Sequence, residues 1–140
     1  MEITYCPALP EDAPGIYGFS KQLIDDYEDV SSIDYEKVLA WVNRKIENNI
    51  GTYTRVLADG SLAGWFCLDK DTGELDDFYI LPAFRGKGVG TQVLRRCIGL
   101  SQKPVWLYVF RKNVRAIALY QRMGFTIREE AGTTRYIMTR

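Results

Sequence analysis

Tyr79-Ile80-Leu81-Pro82-Ala83-Phe84-Arg85-Gly86-Lys87-Gly88-Val89-Gly90-Thr91 is the stretch on which the fold turns. A strand-forming run stops at Pro82, which has no N–H to give to a sheet ladder. Three glycines at alternate positions follow. They open into a segment whose apolar residues Val89, Val93, Leu94, Cys97 and Ile98 give a helix one apolar side. Glycine adopts backbone conformations that side chains resist, so the alternation permits a tight turn in which several N–H groups gather. The first amides of a helix lack acceptors of their own, and the two sets of donors together suit a phosphate or diphosphate. Arg85 and Lys87 supplement them with positive charge. The spacing is neither a Walker loop, GxxxxGK[ST], nor the GxGxxG of a dinucleotide fold. A plain strand-to-helix connection uses the same glycines, so the neighbouring segments must decide.

Upstream, strand-forming runs over 53–58 and 62–68 flank the hairpin signal Asp59-Gly60, and Asp71-Thr72-Gly73 turns into a third run over 75–80. Before this meander a strand over 3–6 precedes two helices. Ile16, Phe19, Leu23 and Tyr27 mark the first, expected to end within the acidic residues 25–29. Val38, Val42 and Ile46 mark the second, with Asp34 as N-cap, Ile33 and Val38 as a hydrophobic staple, and a stop around Asn48-Asn49-Ile50-Gly51. Downstream, 105–110 reads as a strand. Asn113 caps a helix in which Ala116, Leu119, Tyr120 and Met123 share a face, and Gly124 is its C′ residue. A hairpin of 126–130 and 134–138 closes around Gly132. No linker or repeat divides residues 1–140. The expectation is one α/β (α+β) domain with a mixed, mostly antiparallel central sheet and flanking helices.

With 46% hydrophobic and 26% charged residues, the chain has the makings of an ordinary core and not of a disordered segment. No apolar run approaches membrane-spanning length, and Glu2 stands where a leader peptide needs basic residues, so no membrane role and a cytoplasmic location are expected. Cys6, Cys67 and Cys97 form no CxxC pair and no histidine accompanies them, so no metal is expected. The net charge of zero hides a division: residues 1–84 hold 16 acidic and 6 basic side chains, residues 85–140 hold 2 and 12. Such a split steers an anion to the second half and a cation to the first. No nucleic-acid motif accompanies the basic residues.

Taken with Asn113-Val114-Arg115-Ala116-Ile117-Ala118-Leu119-Tyr120-Gln121-Arg122-Met123-Gly124-Phe125, the glycine segment resembles the GCN5-related N-acetyltransferase (GNAT) superfamily. Arg85-Gly86-Lys87-Gly88-Val89-Gly90 matches its central motif, and the second segment has the order asparagine, alanine, leucine-tyrosine, glycine-phenylalanine. The resemblance covers essentially all 140 residues. It implies the acyl-CoA N-acyltransferase fold and acetyl-CoA (coenzyme A) as cosubstrate. Two central strands would splay to admit the pantetheine arm, which pairs with backbone near Phe78 and Ile80. Arg85, Gly86, Lys87, Gly88, Val89, Gly90 and Thr91 would take the diphosphate, with Asn113 and Tyr120 also at the cofactor and Arg111, Lys112 and Arg115 toward the ribose phosphate. Tyr120 matches the tyrosine that protonates the departing thiolate, and Glu74 the glutamate of the histone-acetylating branch. The acceptor site would lie among the first helices and the final hairpin, and the last strands would serve a homodimer.

With no histidine, a base must be a carboxylate, a water held by one, or bulk solvent. Glu74, Asp76 and Asp77 cluster where the third meander strand begins. Strict alternation puts Glu74 and Asp76 on one face and Asp77 on the other, unless a bulge intervenes. Asp76 and Asp77 would attract the ammonium form of an acceptor, and Tyr27, beside Asp25, Asp26, Glu28 and Asp29 and with Tyr35 near, would offer cation–π contact. The oxyanion donor is expected to be a backbone amide within 78–80. The expected activity is acetyl transfer to a small-molecule or peptide amine by direct attack in a ternary complex. A coenzyme A-binding sensor without turnover stays open.

Overall fold

The computed structural model describes all residues 1–140. Strand β1 (Ile3–Pro7) leads through a 3-10 turn (Pro10–Asp12) into α1 (Ala13–Tyr27), and a second 3-10 turn (Val30–Ser32) precedes α2 (Tyr35–Asn48). Strands β2 (Thr54–Ala58), β3 (Ser61–Leu68) and β4 (Leu75–Ile80) form the meander. The glycine turn and α3 (Val89–Leu100) follow, then β5 (Trp106–Phe110), α4 (Val114–Arg122), β6 (Thr126–Ala131) and β7 (Arg135–Thr139).

Local chemistry sets most of these boundaries. Asp34 caps α2 by accepting from the Lys37 amide at 3.3 Å, and Asn113 caps α4 by accepting from the Ala116 amide at 3.3 Å. Asp59 and Gly60 both have positive φ, as the two central residues of a type I′ hairpin turn require. Gly124 ends α4 with φ +90. The first helix starts earlier than its apolar spacing indicated, at Ala13, because Pro14 is tolerated in a first turn where no N–H is needed.

The strands divide into two antiparallel sheets, ordered β1-β2-β3-β4 and β5-β7-β6. A parallel bridge between Glu74 and Trp106 joins them. One apolar layer lies between the sheets and α3 and α4, centred on Val93, Leu94, Cys97, Leu107 and Met138. A second lies under α1 and α2, around Ile16, Ile46, Tyr53 and Trp65. Ile16 and Ile46 are wholly excluded from water, and each such side chain contributes about 1.5–3 kcal/mol. The two layers leave β4 covered on both faces, with one of its edges on β3 and the other on the gap. The outer strand of the second sheet, β6, is exposed along Thr126–Glu130 and pairs only with β7.

Candidate active site

The gap begins at the Glu74–Trp106 bridge, where the Trp106 N–H donates to the Gly73 carbonyl at 3.0 Å. Past it, β4 and β5 separate into different sheets. The Leu81 N–H donates to the Ala63 carbonyl at 2.8 Å. Alternation along an antiparallel ladder then turns the main-chain groups of Asp77 and Tyr79 toward β3 and those of Phe78 and Ile80 toward the gap. Arg85 Nε occupies the Ile80 carbonyl at 3.0 Å, which leaves the amide of Ile80 and both main-chain groups of Phe78 facing the open side.

The glycine turn sits at the wide end of this gap. Gly86 and Gly88 have φ of 74 and 81, the left-handed region that side chains disfavour. The Arg85 N–H donates to the Pro82 carbonyl, and the next amide with a partner is that of Gln92, which donates to Gly88. The six intervening N–H groups, residues 86–91, have no acceptor within the chain. Buried Val89 anchors the start of α3. At Gly90 an added Cβ would lie 3.5 Å from Leu119 Cδ2 and 3.6 Å from Phe78 Cζ, so the helix start rests directly on β4 and α4. Arg85 and Lys87 are exposed beside the free amides.

Tyr120 closes the gap on the side of α3 and α4. Its ring is buried, edge-on to Phe78 at 6.4 Å and tilted against Phe125 at 5.6 Å, and its hydroxyl makes no hydrogen bond within the chain. Burial raises the phenol above its ordinary pKa and holds it protonated. Asn113 stands at the start of the same helix with its side-chain carbonyl engaged as the cap. Arg111 is committed elsewhere: it donates to the Gly132 carbonyl at 2.8 Å and the Arg135 carbonyl at 3.2 Å, and meets Glu130 at 3.5 Å. Lys112 and Arg115 are exposed and make no ion pair within 4.0 Å, although Lys112 lies near enough to Asp29 to help lower its carboxyl.

The other face of β4 carries the acids, and here a bulge overrides simple alternation. Cys67 pairs with Asp77 and Leu68 with Leu75, so Asp76 has no opposite residue. The extra residue brings Asp77 onto the α1–α2 side with Asp76, while Leu75 and Phe78 both pack on the α3–α4 side. Asp77 is buried and accepts hydrogen bonds from the Tyr53 and Tyr79 hydroxyls, the latter at 3.0 Å; the Tyr79 and Ser20 hydroxyls are 2.8 Å apart. Lys45 Nζ lies 2.8 Å from Asp76 and 3.8 Å from Asp77. Burial pushes the Asp77 carboxyl up, and desolvation and the charge of Asp77 push the Tyr53 phenol up, which keeps it a donor. Glu74, half-buried at the vertex, is raised by burial and then by Asp76.

Tyr27 lies at the far end of the gap, its ring 6.3 Å from that of Phe110. The acidic end of α1 is partly satisfied internally, since Asp25 accepts from the Tyr35 hydroxyl at 2.5 Å and pairs with Lys21 at 2.7 Å. Sequence reasoning missed Lys45, Tyr53, Tyr79 and Ser20. Only Lys45 carried a signal, as a cation next to Ile46 at the margin of the α2 apolar stripe. Cys97 is wholly buried with its thiol pushed up to about 12, chiefly by desolvation, and has no access to the gap chemistry.

The sheet thus opens beside a glycine turn of amides that lack internal acceptors, a geometry suited to an anionic group. The family model for the acetyltransferase (GNAT) family matches residues 17–125, and the chain belongs to that family. It is 33% identical over 82 residues to streptothricin acetyltransferase of Streptomyces lavendulae, covering 53% of this chain and 43% of that protein. It is 23% identical over 136 residues to an uncharacterized N-acetyltransferase of Archaeoglobus fulgidus, covering 88% of this chain and 90% of the other. It is also 39% identical over 61 residues to spermine/spermidine N(1)-acetyltransferase of Bacillus subtilis, 40% of each chain. The chain thus spans under half the length of the streptothricin and spermine/spermidine enzymes. Among solved structures, the PaiA N-acetyltransferase of Thermoplasma acidophilum in complex with coenzyme A superposes with a TM-score of 0.72 at 20% identity, covering 100% of this chain and 99% of that one. The α/β acyl-CoA N-acyltransferase fold is therefore shared.

Proposed function

We propose that the protein transfers the acetyl group of acetyl-CoA to a primary amine by direct attack within a ternary complex. The observation that carries this reading is the run of six amides over residues 86–91 without internal acceptors, opening onto the gap between β4 and β5. Four or more such donors, with Arg85 and Lys87 beside them, suit a diphosphate. The residues fit coenzyme A: Gly86 and Gly88 have nothing within 4 Å where a side chain would stand, and the Phe78 carbonyl and Ile80 amide offer main-chain groups an added strand would use. Lys112 and Arg115, neither held in an ion pair, are the cations for the ribose phosphate.

In the transfer, the amine nitrogen forms a bond to the acetyl carbon, the carbon–sulfur bond breaks, and the proton lost by nitrogen is balanced by one gained by sulfur. Tyr120 supplies the thiolate's proton, its hydroxyl kept protonated by burial and free of competing hydrogen bonds. Glu74, at the vertex, takes the amine's proton directly or through water. The Phe78 amide faces the gap and stabilises the developing oxyanion without reorganising. Asp76 draws in the acceptor as a cation, with Tyr27 at the mouth. Asp77 acts from beneath, by fixing the bulge through two tyrosines. Relatives named for streptothricin, spermine and spermidine support an amine as the acceptor. The three cysteines are free thiols, the state a reducing cytoplasm maintains, and we place the reaction there; no helix is long and apolar enough to cross a membrane.

The test combines equilibrium binding of acetyl-CoA with thiol release over a panel of amines, product masses identifying the modified nitrogen. Amine-dependent thiol release is the expected result. Tight acetyl-CoA binding with no release from any amine would make the protein a coenzyme A sensor. Binding of a phosphorylated nucleotide but not of acetyl-CoA would overturn both readings.

A further inference from the structure

The open face of the second sheet holds two arginines that the acetyl-transfer reading does not use. Along β5, Leu107 and Val109 point into the core, while Trp106, Tyr108 and Phe110 face the α1–α2 side. Tyr27 covers Phe110, but Tyr108 remains 44% exposed. The Trp106 and Tyr108 rings meet edge-on, 5.7 Å apart at 69°. A guanidinium lies against each: Arg128 is 5.7 Å from the Trp106 centroid and Arg135 is 4.7 Å from that of Tyr108. A register shift between Ile127 and Glu129 leaves Arg128 as the unopposed residue of β6. Arg128 meets Glu129 at 3.7 Å, both about half exposed, and such a pair binds weakly. Arg135 has no carboxylate partner within 4.0 Å.

Across the vertex stands the opposite charge. Glu74 is bridged to Trp106, and Asp76 follows it on β4, with Lys45 offsetting part of the acid. One side of the vertex therefore carries carboxylates, and the other carries guanidinium groups on aromatic rings with Glu129 beside them. A polyamine would satisfy the first side and be repelled by the second. A molecule with an ammonium and a carboxylate meets both, and a planar guanidinium held over a ring is preset to bind a carboxylate through two parallel hydrogen bonds.

Building on the acetyl-transfer reading, we propose that the acceptor is a small amine bearing its own carboxylate, an amino acid or a close analogue. Its amine is directed to Glu74 and Asp76, and its carboxylate to Arg135, with Arg128 as the second cation. Here Arg135 and Arg128 are specificity residues and take no part in proton transfer.

The experiment measures thiol release from acetyl-CoA with free L-amino acids, their carboxamides and the corresponding amines that lack the carboxyl carbon. The best amino acid should exceed its carboxamide in kcat/KM about 10–100-fold, the range of one charge-assisted hydrogen bond. R135Q should compress that preference about tenfold, through KM, with acetyl-CoA affinity and Tm as in the parent chain. R128Q should compress it less. Carboxamides or diamines acetylated as well as the acids would overturn this inference and leave acetyl transfer standing, as would an R135Q chain that slows every acceptor equally. No release from any amine would sink both.

Discussion

Replacing Gly88 with alanine tests the diphosphate turn where it is most exposed to a single atom. Gly88 has φ +81, and nothing lies within 4 Å of the added methyl, so the penalty is conformational and not steric. Holding an L-residue in the left-handed region costs about 1–2 kcal/mol, a fall in Tm of roughly 3–8 °C for a chain of this size. If the turn relaxes to escape that cost, the amides on either side of residue 88 rotate out of line. One charge-assisted hydrogen bond lost at about 1.5–3 kcal/mol weakens acetyl-CoA binding about 10–150-fold. Gly90→Ala is the matched control. Its backbone is helical, its methyl would meet Leu119 and Phe78 at ordinary contact distance, and alanine favours the helix by up to about 1 kcal/mol. Isothermal titration with coenzyme A, beside thermal unfolding of both variants, separates the outcomes. The expected result is weak binding by G88A, and by G90A an affinity within about threefold of the parent, less than about 0.7 kcal/mol. A G88A chain that melts early yet binds coenzyme A like the parent would refute the amide turn as the diphosphate site.

Three further outcomes follow from the same geometry. Tyr120→Phe should lower kcat by about 10–1000-fold while leaving acetyl-CoA affinity and Tm nearly unchanged, because the hydroxyl makes no hydrogen bond within the chain; unchanged turnover removes it from the mechanism. Glu74 acts as a base only when ionised, and burial and Asp76 raise its pKa, so kcat should fall as pH drops through a midpoint above the ordinary carboxylate value; a pH–rate profile of E74Q should be slower and lack that acid limb. Gly64→Ala would put a Cβ 2.0 Å from the Tyr79 carbonyl oxygen, and the forced shift of β4 should cost more than about 2 kcal/mol, read as a lower urea midpoint together with lost activity.

The parts of the site that lie in one segment were legible in the sequence. Three alternating glycines announce a tight turn of free amides, with Arg85 and Lys87 beside it, because backbone conformation and helix-end chemistry are local. The apolar stripes of α2, α3 and α4 and the caps Asp34 and Asn113 were legible for the same reason. What escaped depends on pairing across the chain. The bulge at Asp76 arises from the register of β3 against β4, and no residue within Leu75–Ile80 announces it. Asp77 therefore reads as a free attractor of cations, although two tyrosines and Lys45, from the distant helix α2, hold it in place. Gly64 reads as an ordinary strand residue, and its need for a bare α-carbon comes only from the Tyr79 carbonyl beside it. Arg128 and Arg135 lie over Trp106 and Tyr108 only because the strand order brings β6 and β7 beside β5, which no local pattern announces.

Of the two sheets, only the first is laid down in chain order. In the second, the final strand β7 inserts between β5 and β6 and pairs with each along its length. A proteolytic cut just before Arg135 would accordingly remove five strand residues by count but strip every ladder bond from β6 and all but the Glu74 contact from β5. It would also uncover Leu107 by taking away Met138, which is wholly buried. Losing β1, an outer strand, would cost one ladder. The domain is therefore far less tolerant of trimming behind residue 134 than ahead of residue 8.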